Sequence, residues 1–170
     1  MRKKIFAFLL LSALYAGAQE VPDWENPIVV GINKEPYHAT LTLPSQKADC
    51  KEIISLNGKW RFQWSADPGK RPADFYKNDF NTDTWDTITV PGAWQLQGYG
   101  KPIYSNVNYP FQKDAPRVTS EPPAEYYSYG HRNPTGSYVT TFEVTPDMKD
   151  KCLYLHFEGV KSAMYVWVNG

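Results

Sequence analysis

The 170-residue chain carries 18 Lys plus Arg against 18 Asp plus Glu, and three of the basic residues, Arg2, Lys3 and Lys4, crowd the N-terminus, so the remainder is slightly acidic. That balance argues against a nucleic-acid partner or an anionic lipid surface. The chain without its first eighteen residues is long enough for one domain with a real core, and no internal repeat divides it.

Arg2, Lys3 and Lys4 precede an apolar run over residues 5–15 that closes on Ala16-Gly17-Ala18. This is the pattern of a secretory signal cleaved before Gln19, and the run is shorter than the roughly 20 residues of a spanning helix. Residues 1–18 are therefore expected to be a signal peptide, and the mature protein to be exported, free of the membrane and, in a bacterial setting, periplasmic. The residue at the cut is Gln19 and not Cys, which argues against a lipid anchor. In that compartment a bridge between Cys50 and Cys152 is permitted, though their spacing does not imply one and fits no metal site.

Residues 19–50 hold Pro22, Pro27, Pro36 and Pro44 and no sustained periodicity, as expected of an extended arm. Residues 51–170 read differently. Trp60, Phe62 and Trp64 alternate with Lys59, Arg61 and Gln63, which predicts a half-buried strand with an aromatic inner face. Residues 67–86 are polar loop with one short helical turn near residues 73–76, and a second strand is expected at 87–90, stopped by Pro91. Further alternation predicts strands at 137–144 and 153–157, and residues 163–168, apolar on both faces, read as a central strand. Short aromatic strands without a long helix make an all-β protein, an antiparallel β-sandwich of jelly-roll type. Asn169-Gly170 is a strong hairpin signal with no strand after it, so the sandwich is expected to be incomplete at its C-terminus.

Between the second and third expected strands, residues 91–110 combine Trp94, Tyr99, Tyr104 and Tyr109 with Gln95, Gln97, Asn106 and Asn108. Aromatic faces and neutral amides suit a hydroxyl-rich ligand such as a sugar. Composition alone equally allows an Ω-type loop whose rings plug the edge of a core.

Four blocks, Asp23-Trp-Glu-Asn-Pro27, Ser55-Leu-Asn-Gly-Lys-Trp-Arg-Phe62, Val90-Pro-Gly-Ala-Trp-Gln-Leu-Gln-Gly-Tyr99 and Pro102-Ile-Tyr-Ser-Asn-Val-Asn-Tyr-Pro110, together resemble the N-terminal sugar-binding domain of the glycoside hydrolase family 2 β-galactosidases. Asn133-Pro-Thr-Gly-Ser-Tyr138 and Phe157-Glu-Gly-Val-Lys-Ser-Ala163 extend the match over essentially the whole mature chain. The resemblance implies a jelly-roll first domain, a β-galactoside substrate and a full-length homo-oligomer. Its two catalytic glutamates, which act with retention, would lie in a barrel downstream. Glu121, Glu125, Glu143 and Glu158 have no motif partner, and no catalytic residue is assigned within this chain.

By the same resemblance Asn106 hydrogen-bonds a galactosyl hydroxyl and Val107 forms pocket wall. An amide both donates and accepts without adding charge beside an oxocarbenium-like centre, whereas an Asn that merely closes a turn is the commoner loop use. The resemblance also implies a structural Mg2+ held by Asp23, Asn26 and the carbonyl of Val29, and it admits Na+ in the full-length enzyme. Oxygen donors at that spacing suit a hard cation, although Asp-x-x-Asn-Pro is also a common turn. Residues 122–132, with Tyr126, Tyr127, Tyr129 and His131, look like an insertion. A free-standing, non-catalytic carbohydrate-binding module remains the alternative to a β-galactosidase domain, with a purely structural assembly domain a weaker third.

Overall fold

The computed structural model describes residues 21–36, 53–102, 116 and 133–170. Its sheet has three strands, β1 over Gly58–Ser65, β2 over Asp86–Val90 and β3 over Thr135–Val139, in the order β2-β1-β3. Both neighbours run antiparallel to β1, with Trp60 opposite Ile88 and Phe62 opposite Tyr138. The described residues are thus all-β with antiparallel pairing, consistent with a sandwich. The remaining regular structure among them is single 3-10 turns at Asp23–Glu25, Pro68–Lys70, Trp94–Gln97 and Pro146–Met148.

The alternation in β1 does what its period requires. Phe62 is fully buried while Lys59 and Arg61 stay exposed, because successive side chains leave opposite faces of the pleat. Around Phe62 gather Tyr138 at 4.8 Å, Tyr99 at 4.7 Å and Trp94 at 6.1 Å between ring centroids, in the tilted and edge-on arrangements that ring quadrupoles favour. Ile88 closes the β2 side with 1% exposure. Opposite Trp64 the chain places Gly136, and a Cβ there would fall 2.5 Å from Trp94 Cζ3 and 2.7 Å from Phe62 Cε2. The missing side chain lets two rings meet over β3.

A second aromatic group forms on Trp85, which packs against Phe75 and Phe80, each at 5.9 Å. The turn over residues 73–76 is present and delivers Phe75 and Tyr76 to it, with the Lys77 N–H donating to the Asp74 carbonyl at 3.0 Å. Trp167 then joins Phe75 at 5.6 Å and stacks on Tyr76 at 5.1 Å.

Three expectations need correction. The strand predicted at 137–144 begins earlier and ends at Val139, and residues 153–157 and 163–168 join no ladder among the described residues. Phe142, Leu155 and Phe157 are about two-fifths exposed, and Val166 and Val168 about half, so residues 163–168 are not a strand covered on both faces. Alternation marks which side chains share a face. A strand exists only where a neighbour's N–H and C=O groups complete the ladder. Asn169 and Gly170 do take the positive φ expected of them, 60° and 101°.

Candidate functional site

The loop after β2 turns first on Gly92. A Cβ at that position would lie 2.8 Å from the Gln97 amide nitrogen and 3.0 Å from the Thr89 carbonyl oxygen, so glycine lets the chain fold back along the strand it has just left. The 3-10 turn Trp94–Gln97 follows and ends at Gly98, whose φ of 98° suits a residue without Cβ.

That turn aims Gln97 at the outer edge of β2. The Thr89 N–H donates to Gln97 Oε1 at 2.8 Å, and Gln97 Nε2 donates to the Thr89 carbonyl at 3.0 Å. Thr89 is therefore turned away from β1 in the ladder, and its pairing with Lys59 is of the non-hydrogen-bonded kind, in which side chains approach most closely. Lys59 Nζ accordingly reaches Thr89 Oγ1 at 2.8 Å.

Trp94 and Tyr99 point back onto Phe62. Burial raises the Tyr99 hydroxyl above its ordinary range, and a hydrogen bond to Asp86 adds to the effect. Thus, in the described part of the loop, Trp94, Gln97 and Tyr99 secure the loop to the sheet, as in the core-plugging reading of its composition. The residues expected to touch sugar, Asn106 and Val107, lie outside the described residues, as do Tyr104, Asn108 and Tyr109 and the segment 122–132.

The arm supplies the second set. A 3-10 turn over Asp23–Glu25 is closed by the Asn26 N–H donating to the Asp23 carbonyl and is followed by one more tight turn, in which the Val29 N–H donates to the Asn26 carbonyl, each at 3.1 Å. Asn26 caps the turn in an extended conformation, φ −105° and ψ 104°. Asn26 Oδ1 accepts the Ile28 N–H at 3.1 Å and retains a second lone pair. Among the described residues no group of three or more His, Cys, Asp and Glu gathers. A single carboxylate with neutral oxygens fits Mg2+, which keeps several waters and binds through one or two carboxylates. The donor set therefore suits the ion.

The arm is held to the body by groups that sequence reasoning passed over. The Arg71 guanidinium lies 5.2 Å over the Trp24 ring, and the Trp24 ring meets Tyr165 edge-on at 6.2 Å. Arg71 sits in a polar loop and Tyr165 in an apolar run, so neither carries a local signal for a partner so distant in sequence.

An all-β domain with an aromatic core and a clasped, amide-bearing loop is the class these residues define. Residues 53–170 match the family model described as "Glycosyl hydrolases family 2, sugar binding domain", and the chain belongs to that family. It is 39% identical over 165 residues to a β-galactosidase of Priestia megaterium, covering 91% of this chain and 15% of that protein. A β-galactosidase of Clostridium acetobutylicum is 41% identical over 155 residues, covering 87% of this chain and 17% of its own. The β-galactosidase large subunit of Lactobacillus acidophilus is 41% identical over 122 residues, covering 68% and 19%. The chain thus spans less than a fifth of the length of these relatives.

Proposed function

We propose that this chain is the first domain of an exported β-galactosidase that hydrolyses terminal β-D-galactosides with retention. The observation that carries the reading is its identity of about 40% to β-galactosidases across most of its length. The glutamates that protonate the leaving oxygen and capture the sugar would come from a catalytic domain outside these 170 residues. This chain's part is to present Asn106, with Val107 beside it, to the galactosyl unit from a loop whose base is fastened at Thr89 by Gln97. Asp23, Asn26 and the Val29 carbonyl would hold Mg2+, which supplies fixed positive charge that steadies the arm. The full-length protein would be a periplasmic homo-oligomer, matured by cleavage before Gln19.

The test is hydrolysis by the full-length exported protein. Lactose and an aryl β-galactoside should both be cleaved with retained anomeric configuration, and the purified material should begin at Gln19. A protein that bound galactosides without cleaving them would be a carbohydrate-binding module instead.

A further inference from the structure

Trp24 stands in sequence between Asp23 and Asn26, two of the residues proposed above to hold Mg2+, and it is also the point at which the arm is fastened to the body. The Arg71 guanidinium lies 5.2 Å over its ring, and Tyr165 meets that ring at 6.2 Å, 89° from parallel. Arg71 is itself steadied, since its Nη1 donates to the Pro68 carbonyl at 2.6 Å. Tyr165 is backed by Trp167, whose ring is 5.9 Å away, and Trp167 in turn by Tyr76 at 5.1 Å. Asp23, Trp24, Arg71 and Tyr165 line one cleft, so the ion ligands and the clasp are neighbours.

Taken alone, the segment that carries the ligands has little to hold it. Its 3-10 turn is three residues long and no side chain caps it, and the bond from the Ile28 N–H to Asn26 Oδ1 is exposed. A single turn is unstable in water without tertiary support, because the cost of nucleating it is not recovered by further bonds. An ion that needs the Asp23 carboxylate, the Asn26 amide oxygen and the Val29 carbonyl together binds only the fraction of molecules in which the turn is formed, and its apparent affinity falls by that fraction. The clasp on Trp24 raises the fraction. Linkage is reciprocal, so the ion tightens the clasp in return.

We propose that Trp24, held by Arg71 and Tyr165, is a positioning residue for the arm's Mg2+, so that ion binding and arm docking strengthen each other. This coupling rests on the magnesium reading given above and adds to it a dependence on side chains outside the ligand set. Arg71 opposes the ion by its charge even as it holds Trp24, so the informative substitutions are the uncharged ones at Trp24 and Tyr165.

In the full-length protein, backbone hydrogen exchange of a peptide spanning residues 22–30 is followed by mass spectrometry against MgCl2. The Asn26 and Val29 N–H groups bond within the turns, so their exchange reports turn opening. Exchange should slow with a saturable midpoint in the parent, and Asp23→Ala should abolish the response. Trp24→Leu should raise the midpoint about fivefold and Tyr165→Leu about threefold as the docked fraction falls, whereas Tyr165→Phe, which keeps the ring, should stay at the parent value. Should Trp24→Leu fail to fold, Tyr165→Leu decides. Gly136→Ala, which loosens the Phe62 core instead, should leave the midpoint in place. A parent midpoint in folded Trp24→Leu and Tyr165→Leu, with the response still lost in Asp23→Ala, would overturn the coupling and leave the magnesium reading standing. An equal shift in Gly136→Ala would overturn it as well, by showing general loosening. A response that survived Asp23→Ala would take the ion away from Asp23, and the coupling with it.

Discussion

The side-chain amide of Gln97 pairs with both backbone groups of Thr89, accepting from its N–H at 2.8 Å and donating to its carbonyl at 3.0 Å. A side chain here does what a neighbouring strand would do for β2, whose outer edge has no other strand beside it among the described residues. Exposed edges invite foreign strands, and this one is partly covered by the loop it leads into.

Gln97→Ala should therefore expose the Thr89 amide. Hydrogen exchange at that amide is expected to quicken at least tenfold, with a loss of about 1 kcal/mol in global stability, since each exposed bond contributes modestly. Exchange at Thr89 indistinguishable from the parent protein would show that the amide pair does not persist in solution.

Gly136→Ala is expected to be far more damaging than its single methyl suggests. The new Cβ would meet three ring atoms closer than 3 Å, two of Trp94 and one of Phe62, and neither ring can swing away without disturbing the other. A destabilisation of about 1–3 kcal/mol follows from overpacking of this kind, read as a lower urea midpoint. An unchanged midpoint would mean the rings move aside freely.

How much of this was legible beforehand differs by element. Trp60, Phe62 and Trp64 announced β1 and its inner face because period two is a property of the strand itself. The strand expected at 87–90 was equally plain, ended by a proline, and is found one residue longer at Asp86–Val90. The start of β3 was not, because Thr135 and Gly136 carry no apolar alternation, and Gly136 is there to make room for rings that belong to other segments. In the loop, composition announced aromatics and amides but not their direction. Trp94 and Tyr99 turned inward and Gln97 turned to the strand, outcomes decided by Phe62 and Thr89, which lie outside the loop. The arm's tight turns at Asp23 and Asn26 were readable locally, whereas Arg71 over Trp24 was not.

Alkaline pH should weaken the fold through its partly buried tyrosines. Burial holds the Tyr138 hydroxyl above its ordinary value of 10.0, so the unfolded chain releases this proton at lower pH than the folded one. The stabilisation is complete below the unfolded value and is lost as pH rises through the folded one. The urea midpoint should fall as pH rises past the ordinary tyrosine value of 10.0, and Tyr138→Phe, which keeps the ring on Phe62, should flatten part of that fall. Tyr99 and Tyr165 shift in the same direction. A Tyr138→Phe profile that superimposed on the parent's would remove Tyr138 from this account.

For the proposed magnesium site, Asp23→Ala in the full-length protein should raise the MgCl2 concentration at which thermal stability saturates, because a ligand stabilises by mass action on the folded state. A titration of Tm against MgCl2 reads this directly. A curve identical to the parent's would take the ion away from Asp23.

For the proposed substrate contact, Asn106→Ala in the full-length protein should lower kcat/KM on lactose and on an aryl galactoside by roughly ten- to a hundredfold, the loss of one or two hydrogen bonds that strengthen toward the transition state. Asn108→Ala is the control and should do less. Parent-like kcat/KM in Asn106→Ala would make the loop structural throughout.

The pairing of Trp24 with Tyr165 also sets an order of events in folding. Local turns at Asp23 and Asn26 close over three residues and can form as soon as they are made. Ring contact with Tyr165 must await almost the whole of the described chain and then closes its longest loop, a step whose entropic cost grows with length and which slows folding as non-local contacts do. The arm should accordingly dock last and, when the protein loosens, detach first, so that protease sensitivity at the arm would report early unfolding before the Phe62 core is lost.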